Sequence, residues 1–74
     1  MGVQIVMDGS GDTRHEFDAG DIASIAEAKH RFEQLTTAGH SAIAFKAAGG
    51  PGELIREFDC NVERTVFVPR LVGG

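Results

Sequence analysis

The chain has 74 residues, of which 42% are hydrophobic and 24% charged, and its net charge is −4. A chain of this length forms one domain that buries only about 60% of its unfolded surface, which leaves little room for a deep catalytic cleft. The acidic balance opposes docking on a phosphate backbone, which calls for clustered Lys and Arg, so no nucleic-acid partner is expected.

The longest apolar runs, Ala42-Ile43-Ala44-Phe45 and Thr65-Val66-Phe67-Val68, are strand-sized, whereas a membrane span needs about 20 apolar residues. No membrane partner is expected. The N-terminal residues read as neither a basic region nor a secretory apolar stretch, which predicts a cytoplasmic protein. A single cysteine, Cys60, excludes an intramolecular disulfide framework and fits a reducing compartment.

In chain order, Val3, Ile5 and Met7 alternate along a first strand, and Asp8-Gly9 supplies turn residues that predict a hairpin. The loop 8–12 leads into a return strand from Thr13 to Phe17, with His15 and Phe17 on one face and Arg14 and Glu16 on the other. Ser24-Ile25-Ala26-Glu27 has the spacing of a capping box and predicts a helix start near Ser24. Ile25, Ala28, Phe32 and Leu35 form its apolar stripe, and Gly39 is its natural stop.

Ser41 to Phe45 reads as an inner strand, with Ile43 and Phe45 on one face and the small Ala42 and Ala44 on the other. The Gly/Pro-rich stretch 48–52 breaks regular structure before a strand from Glu53 to Phe58, and residues 59–61 turn the chain. The last strand, about Arg64 to Val68, must stop at Pro69, which lacks an N–H. Strand, strand, helix, strand, strand, strand is the order of an α+β β-grasp fold: a mixed sheet of four to five strands, with one helix across one face and the first and last strands adjacent. The expected domain covers residues 1–69, with Ile5, Ile25, Phe32, Leu35, Ile43, Phe45 and Phe67 in its core and residues 70–74 as a flexible tail.

That tail carries a resemblance. Arg70-Leu71-Val72-Gly73-Gly74 is similar to the Arg-Leu-x-Gly-Gly ending of ubiquitin, placed as there just after a terminal strand. Phe67-Val68-Pro69, followed by three residues and Gly-Gly, resembles the ending of the β-grasp sulfur carriers, namely the small subunit of molybdopterin synthase and the thiazole-biosynthesis carrier. Those carriers have a Gly-Asp-Glu-Val-like segment before the last strand where this chain has Asn61-Val62-Glu63-Arg64, which places the modifier family ahead.

The resemblance implies a substrate rather than an enzyme: a modifier or carrier without a cofactor of its own. Its Gly74 carboxylate would be activated by a separate ATP-dependent adenylating enzyme and passed on to target proteins or to sulfur from a sulfurtransferase. Gly73 and Gly74 lack a Cβ that would block close approach to the phosphate and the nucleophile. Five residues beyond Pro69, at about 3.3 Å each, reach roughly 16 Å from the domain. Arg70, Leu71 and Val72 would contact the partner, the first as a charge and the others as exposed apolar side chains.

Other motifs give way to plainer readings. Gly9-Ser10-Gly11 precedes a strand and lacks the Gly-Lys-Ser/Thr of a phosphate loop. His15, His30 and His40 have no metal-ligand spacing, so no metal is expected. Asp18 and Asp21 suit the positive end of the helix dipole, and Cys60 has no base in sequence to activate it. The rival function from another class is an adaptor that binds partners through its sheet side chains and carries an inert tail.

Overall fold

A computed structural model describes residues 2–9, 11–46 and 50–69. Its elements are β1 (Gly2–Asp8), β2 (Gly11–Phe17), α1 (Ile22–Thr37), β3 (Ser41–Phe45), β4 (Glu53–Ile55) and β5 (Arg64–Val68). They form one five-stranded mixed sheet in the order β2-β1-β5-β3-β4, with β1 and β5 parallel and every other pair antiparallel. With α1 packed against this sheet the fold is α+β and β-grasp, and the two terminal strands lie side by side at its centre as the element order predicts.

The start of the helix differs from the sequence expectation. Asp21, not Ser24, is the N-cap: its carboxylate accepts from the N–H of Ala23 at 3.0 Å. Ser24 lies in the first turn, and its hydroxyl accepts from the N–H of Asp18 at 2.9 Å, tying the incoming loop to the helix. Both residues are good caps, and the one nearer the sheet connection starts the helix earlier. The added turn leaves Ile22 85% exposed.

The helix stop is as expected. His40 N–H donates to Leu35 O and Gly39 N–H to Thr36 O, the paired bonds of a Schellman motif. Gly39 has a φ of +105°, where a Cβ would be strained.

Two strand limits also move. The β1–β2 ladder runs through to Asp8 opposite Gly11, so β2 begins at Gly11 and the 8–12 loop shrinks to the two residues between. β4 ends at Ile55, not Phe58, because the chain then bends and turns the Phe58 ring inward, 5.7 Å from Phe17 and 6.1 Å from Phe32. Burying that ring against two others outweighs three more residues of edge ladder.

The core lies between α1 and one face of the sheet. Phe32 and Phe67 form its centre, with ring centroids 5.6 Å apart, and Phe17, Val62, Ala28, Ala42 and Ala44 are buried with them. The alanines on both sides let helix and sheet approach closely. Of the expected core, Phe32 and Phe67 are fully buried and Leu35 packs against them, while Ile25 is only half-buried.

Ile5, Ile43 and Phe45 are the correction. Gln4 and Val6 are on the helix side of β1, so Ile5 lies on the opposite face of its strand, and the burial of Ala42 and Ala44 puts Ile43 and Phe45 on that same opposite face. Hydrophobicity alone picked the wrong parity.

Gln4 is accommodated because both ends of its amide are satisfied. Its Nε2 donates to Ala28 O at 3.0 Å and its Oε1 accepts from Arg31 Nη1 at 2.9 Å. Gln4→Ala removes both bonds and opens space beneath the helix, and should lower the unfolding free energy by about 2 kcal/mol. The double variant Gln4→Leu, Arg31→Met, which removes both polar partners at similar volume, should stay within about 1 kcal/mol of wild type in urea denaturation. A double variant as unstable as Gln4→Ala would mean that the polar pair itself fixes the seating of the helix.

Candidate functional site

The face of the sheet opposite α1 carries an apolar stripe that crosses four strands. Register places Ile5 beside Val66, Val66 beside Ile43, and Ile43 beside Leu54. Paired residues project to the same side, so these four side chains form one row. A second row follows at one end, where Val3, Arg64 and Phe45 are partners in turn. At the other end of the stripe lie Met7 and Val68, one alternation further along β1 and β5.

The stripe is partly accessible. Leu54 is 63% and Met7 39% exposed, while Val3, Ile5, Ile43, Val66 and Val68 are half-buried. One end of it is closed by backbone: a Cβ on Gly52 would stand 2.7 Å from Cγ2 of Ile43 and 2.9 Å from the Phe45 ring, so only glycine lets the chain lie against them. The Arg64 guanidinium lies over the Phe45 ring, 4.7 Å from its centroid. Arg14, opposite Ile5, adds a second cation at the edge of the stripe.

β5 links this face to the tail. It is the central strand, held by β1 on one side and β3 on the other, and its last residue, Val68, belongs to the apolar face. Exposed Pro69 follows and ends the ladder. The expected site residues Arg70, Leu71, Val72, Gly73 and Gly74 lie outside the described residues; the strand and proline that precede them lie within.

The stripe was missed in the sequence although the signal was there. Ala42-Ile43-Ala44-Phe45 and Val66-Phe67-Val68 are apolar at both parities, and a strand without a polar face has something to bury or offer on each side.

The titratable residues set aside earlier lie apart from this face or serve local structure. His15 shares the helix-side face of β2 with Phe17, and His30 is exposed on α1. His40 ends the helix cap, and among the described residues its Nδ1 is buried without a hydrogen-bond partner. Asp18 accepts from Gly20 N–H at 2.8 Å and from Asp21 N–H through its backbone carbonyl, shaping the turn before α1. Cys60 is a half-buried free thiol. Among the described residues no three His, Cys, Asp or Glu are grouped to hold a metal ion, and no helix is long and apolar enough to cross a membrane.

No protein-family model matches the chain, and no curated protein or solved structure matches it.

Proposed function

We propose that this protein is a cytoplasmic ubiquitin-like modifier or sulfur carrier, acting as a substrate and not as an enzyme. A separate ATP-dependent enzyme activates the Gly74 carboxylate, whether Gly74 ends the chain or a processing cut exposes it. The observation that carries this reading is the placement of the tail's root. The chain leaves the rigid central strand β5 at Val68, and the same strand supplies Val66 to an accessible apolar stripe. One partner could thus grip the sheet face and receive residues 70–74 at a fixed distance from that grip.

The chemistry follows from the carboxylate. Ionised at neutral pH, it has no leaving group and resists nucleophiles. Attack of its oxygen on the α-phosphorus of ATP expels pyrophosphate and gives an acyl-adenylate. A cysteine thiolate then attacks the acyl carbon and expels AMP to give a thioester, or hydrosulfide does so to give a thiocarboxylate. A lysine amine can take the acyl group from the thioester and release the thiol. The chain's part is to present its two glycines without steric hindrance.

Intact-mass spectrometry of the chain incubated with ATP and lysate of its source cell tests the proposal. An adduct at Gly74 of AMP, sulfur or a protein lysine supports it. Leu54→Arg, on the most exposed part of the stripe, should slow adduct formation about tenfold while changing folding stability by no more than about 0.5 kcal/mol. Complete absence of any adduct on wild type overturns the proposal. The accessible stripe would then favour a second reading, an adaptor that binds partners through the sheet face with an inert tail.

A further inference from the structure

The two edges of the sheet are unequal. β4 is only three residues long and follows Pro51, which has no N–H to offer a new strand, so that edge is poor at pairing. β2 is seven residues long, pairs with β1 through seven consecutive positions without a bulge, and contains no proline. An outer antiparallel strand turns every second residue's N–H and C=O away from its neighbour, so among the described residues the outer side of β2 offers a row of unmade hydrogen bonds. Such an edge invites another strand unless its side chains forbid it.

The side chains of β2 select among the possible partners. On the open face Asp12, Arg14 and Glu16 alternate in sign, and all three are exposed. When two copies of β2 pair about a two-fold axis normal to the sheet, residues of like parity meet, and three registers overlap by at least five of the 7 residues. With Arg14 on the axis, the longest overlap, Arg14 meets Arg14 and Asp12 meets Glu16, and every charged pair repels. With His15 on the axis Arg14 meets Glu16, but Asp12 falls outside the paired segment and the two half-buried His15 rings are set against each other on the helix side. With Thr13 on the axis Asp12 meets Arg14 twice by symmetry, the two Thr13 side chains meet each other, and Glu16 falls outside the paired segment.

We propose that the β2 edge is a self-association site, at which a second copy of this chain adds its β2 antiparallel with Thr13 on the two-fold axis. Each copy's Asp12 then faces the partner's Arg14, and the two five-stranded sheets become continuous. The paired segment is short, so the dimer is weak and reversible, and its charged pairs sit in solvent, so it weakens as salt rises. The apolar stripe and the root of the tail lie on other strands and stay accessible in the dimer.

The test is sedimentation equilibrium of the 74-residue chain from micromolar to millimolar concentration at low salt. Wild type should form a dimer. Arg14→Glu and Asp12→Arg each convert both symmetric pairs to like charges and should weaken dimerisation about tenfold or more, with circular dichroism and melting unchanged because both residues are exposed. The double variant Asp12→Arg, Arg14→Glu exchanges the charges and should restore the wild-type constant to within about threefold. Glu16→Arg should leave it nearly unaltered. A wild type that is monomeric throughout, a double variant that fails to recover, or a Glu16→Arg variant as impaired as Arg14→Glu would each overturn the proposal.

Discussion

Phe32→Ala should cost about 3 to 5 kcal/mol of folding free energy. Phe32 is 2% exposed and stands between two other rings, with Phe67 at 5.6 Å and 71° and Phe58 at 6.1 Å and 69°. Truncation removes both edge-to-face contacts and leaves a hole that the surrounding side chains cannot fill, since Ala28, Ala42 and Ala44 are already at the end of their reach. Domains of this size are stable by roughly 4 to 11 kcal/mol, so the variant loses a large share of its margin. Its melting temperature should fall by at least about 15 °C.

Phe45→Ala is the matched control. It is the same substitution on a half-buried ring of the opposite face, covered by Gly52 and Arg64, and it should cost only about 1 to 2 kcal/mol. Urea denaturation of the two variants side by side decides the matter. Equal losses would show that the assignment of faces is wrong.

Removal of Gly74 should abolish the covalent adduct, and Gly73→Val should reduce it below detection, with neither change moving the melting temperature by more than a few degrees. The reason for the second effect is steric. A β-branched residue next to the reacting carbonyl restricts both its backbone angles and the approach of phosphate and nucleophile, whereas a glycine does neither. The reason for the unchanged stability is positional: Pro69 ends the ladder of β5, and substitutions away from core, caps and buried polar groups change stability by about 0.5 kcal/mol or less. The measurement is intact mass after incubation with ATP and source-cell lysate, beside wild type in the same lysate. Equal modification of wild type and Gly73→Val would show that Gly73 does not matter for activation. Modification of the shortened chain would place the adduct elsewhere than on Gly74.

Local signals set the order of the elements. Gly39 stops the helix because a single residue must adopt positive φ there, and Pro69 stops β5 because a single N–H is missing. Alternation and turn residues marked the hairpin, and the order of five strands and one helix admitted the β-grasp arrangement in which β1 and β5 meet in parallel. These are properties of a few neighbouring residues, so they are legible without the rest of the chain. The tail motif from Arg70 to Gly74 is legible in the same way, though it lies outside the described residues.

Other features depended on contacts between distant segments. Asp21 and Ser24 are both competent caps, and the choice went to Asp21 because Ser24 is engaged by the backbone of Asp18 as the chain enters the helix. Phe58 left the line of β4 because two rings distant in sequence, Phe17 and Phe32, offered it burial. The face of β1 was decided against its own hydrophobic pattern. Gln4 could turn inward only because Ala28 and Arg31, more than twenty residues away, satisfy its amide, and that choice sent Val3, Ile5 and Met7 to the open side. The sequence by itself determined which segments are strands and helix, and the stops at Gly39 and Pro69, because propensity, turns and caps act over a few residues. Only the tertiary structure decided which side of the sheet is core and which is left accessible, because a strand apolar on both faces has no preference until a helix covers one of them.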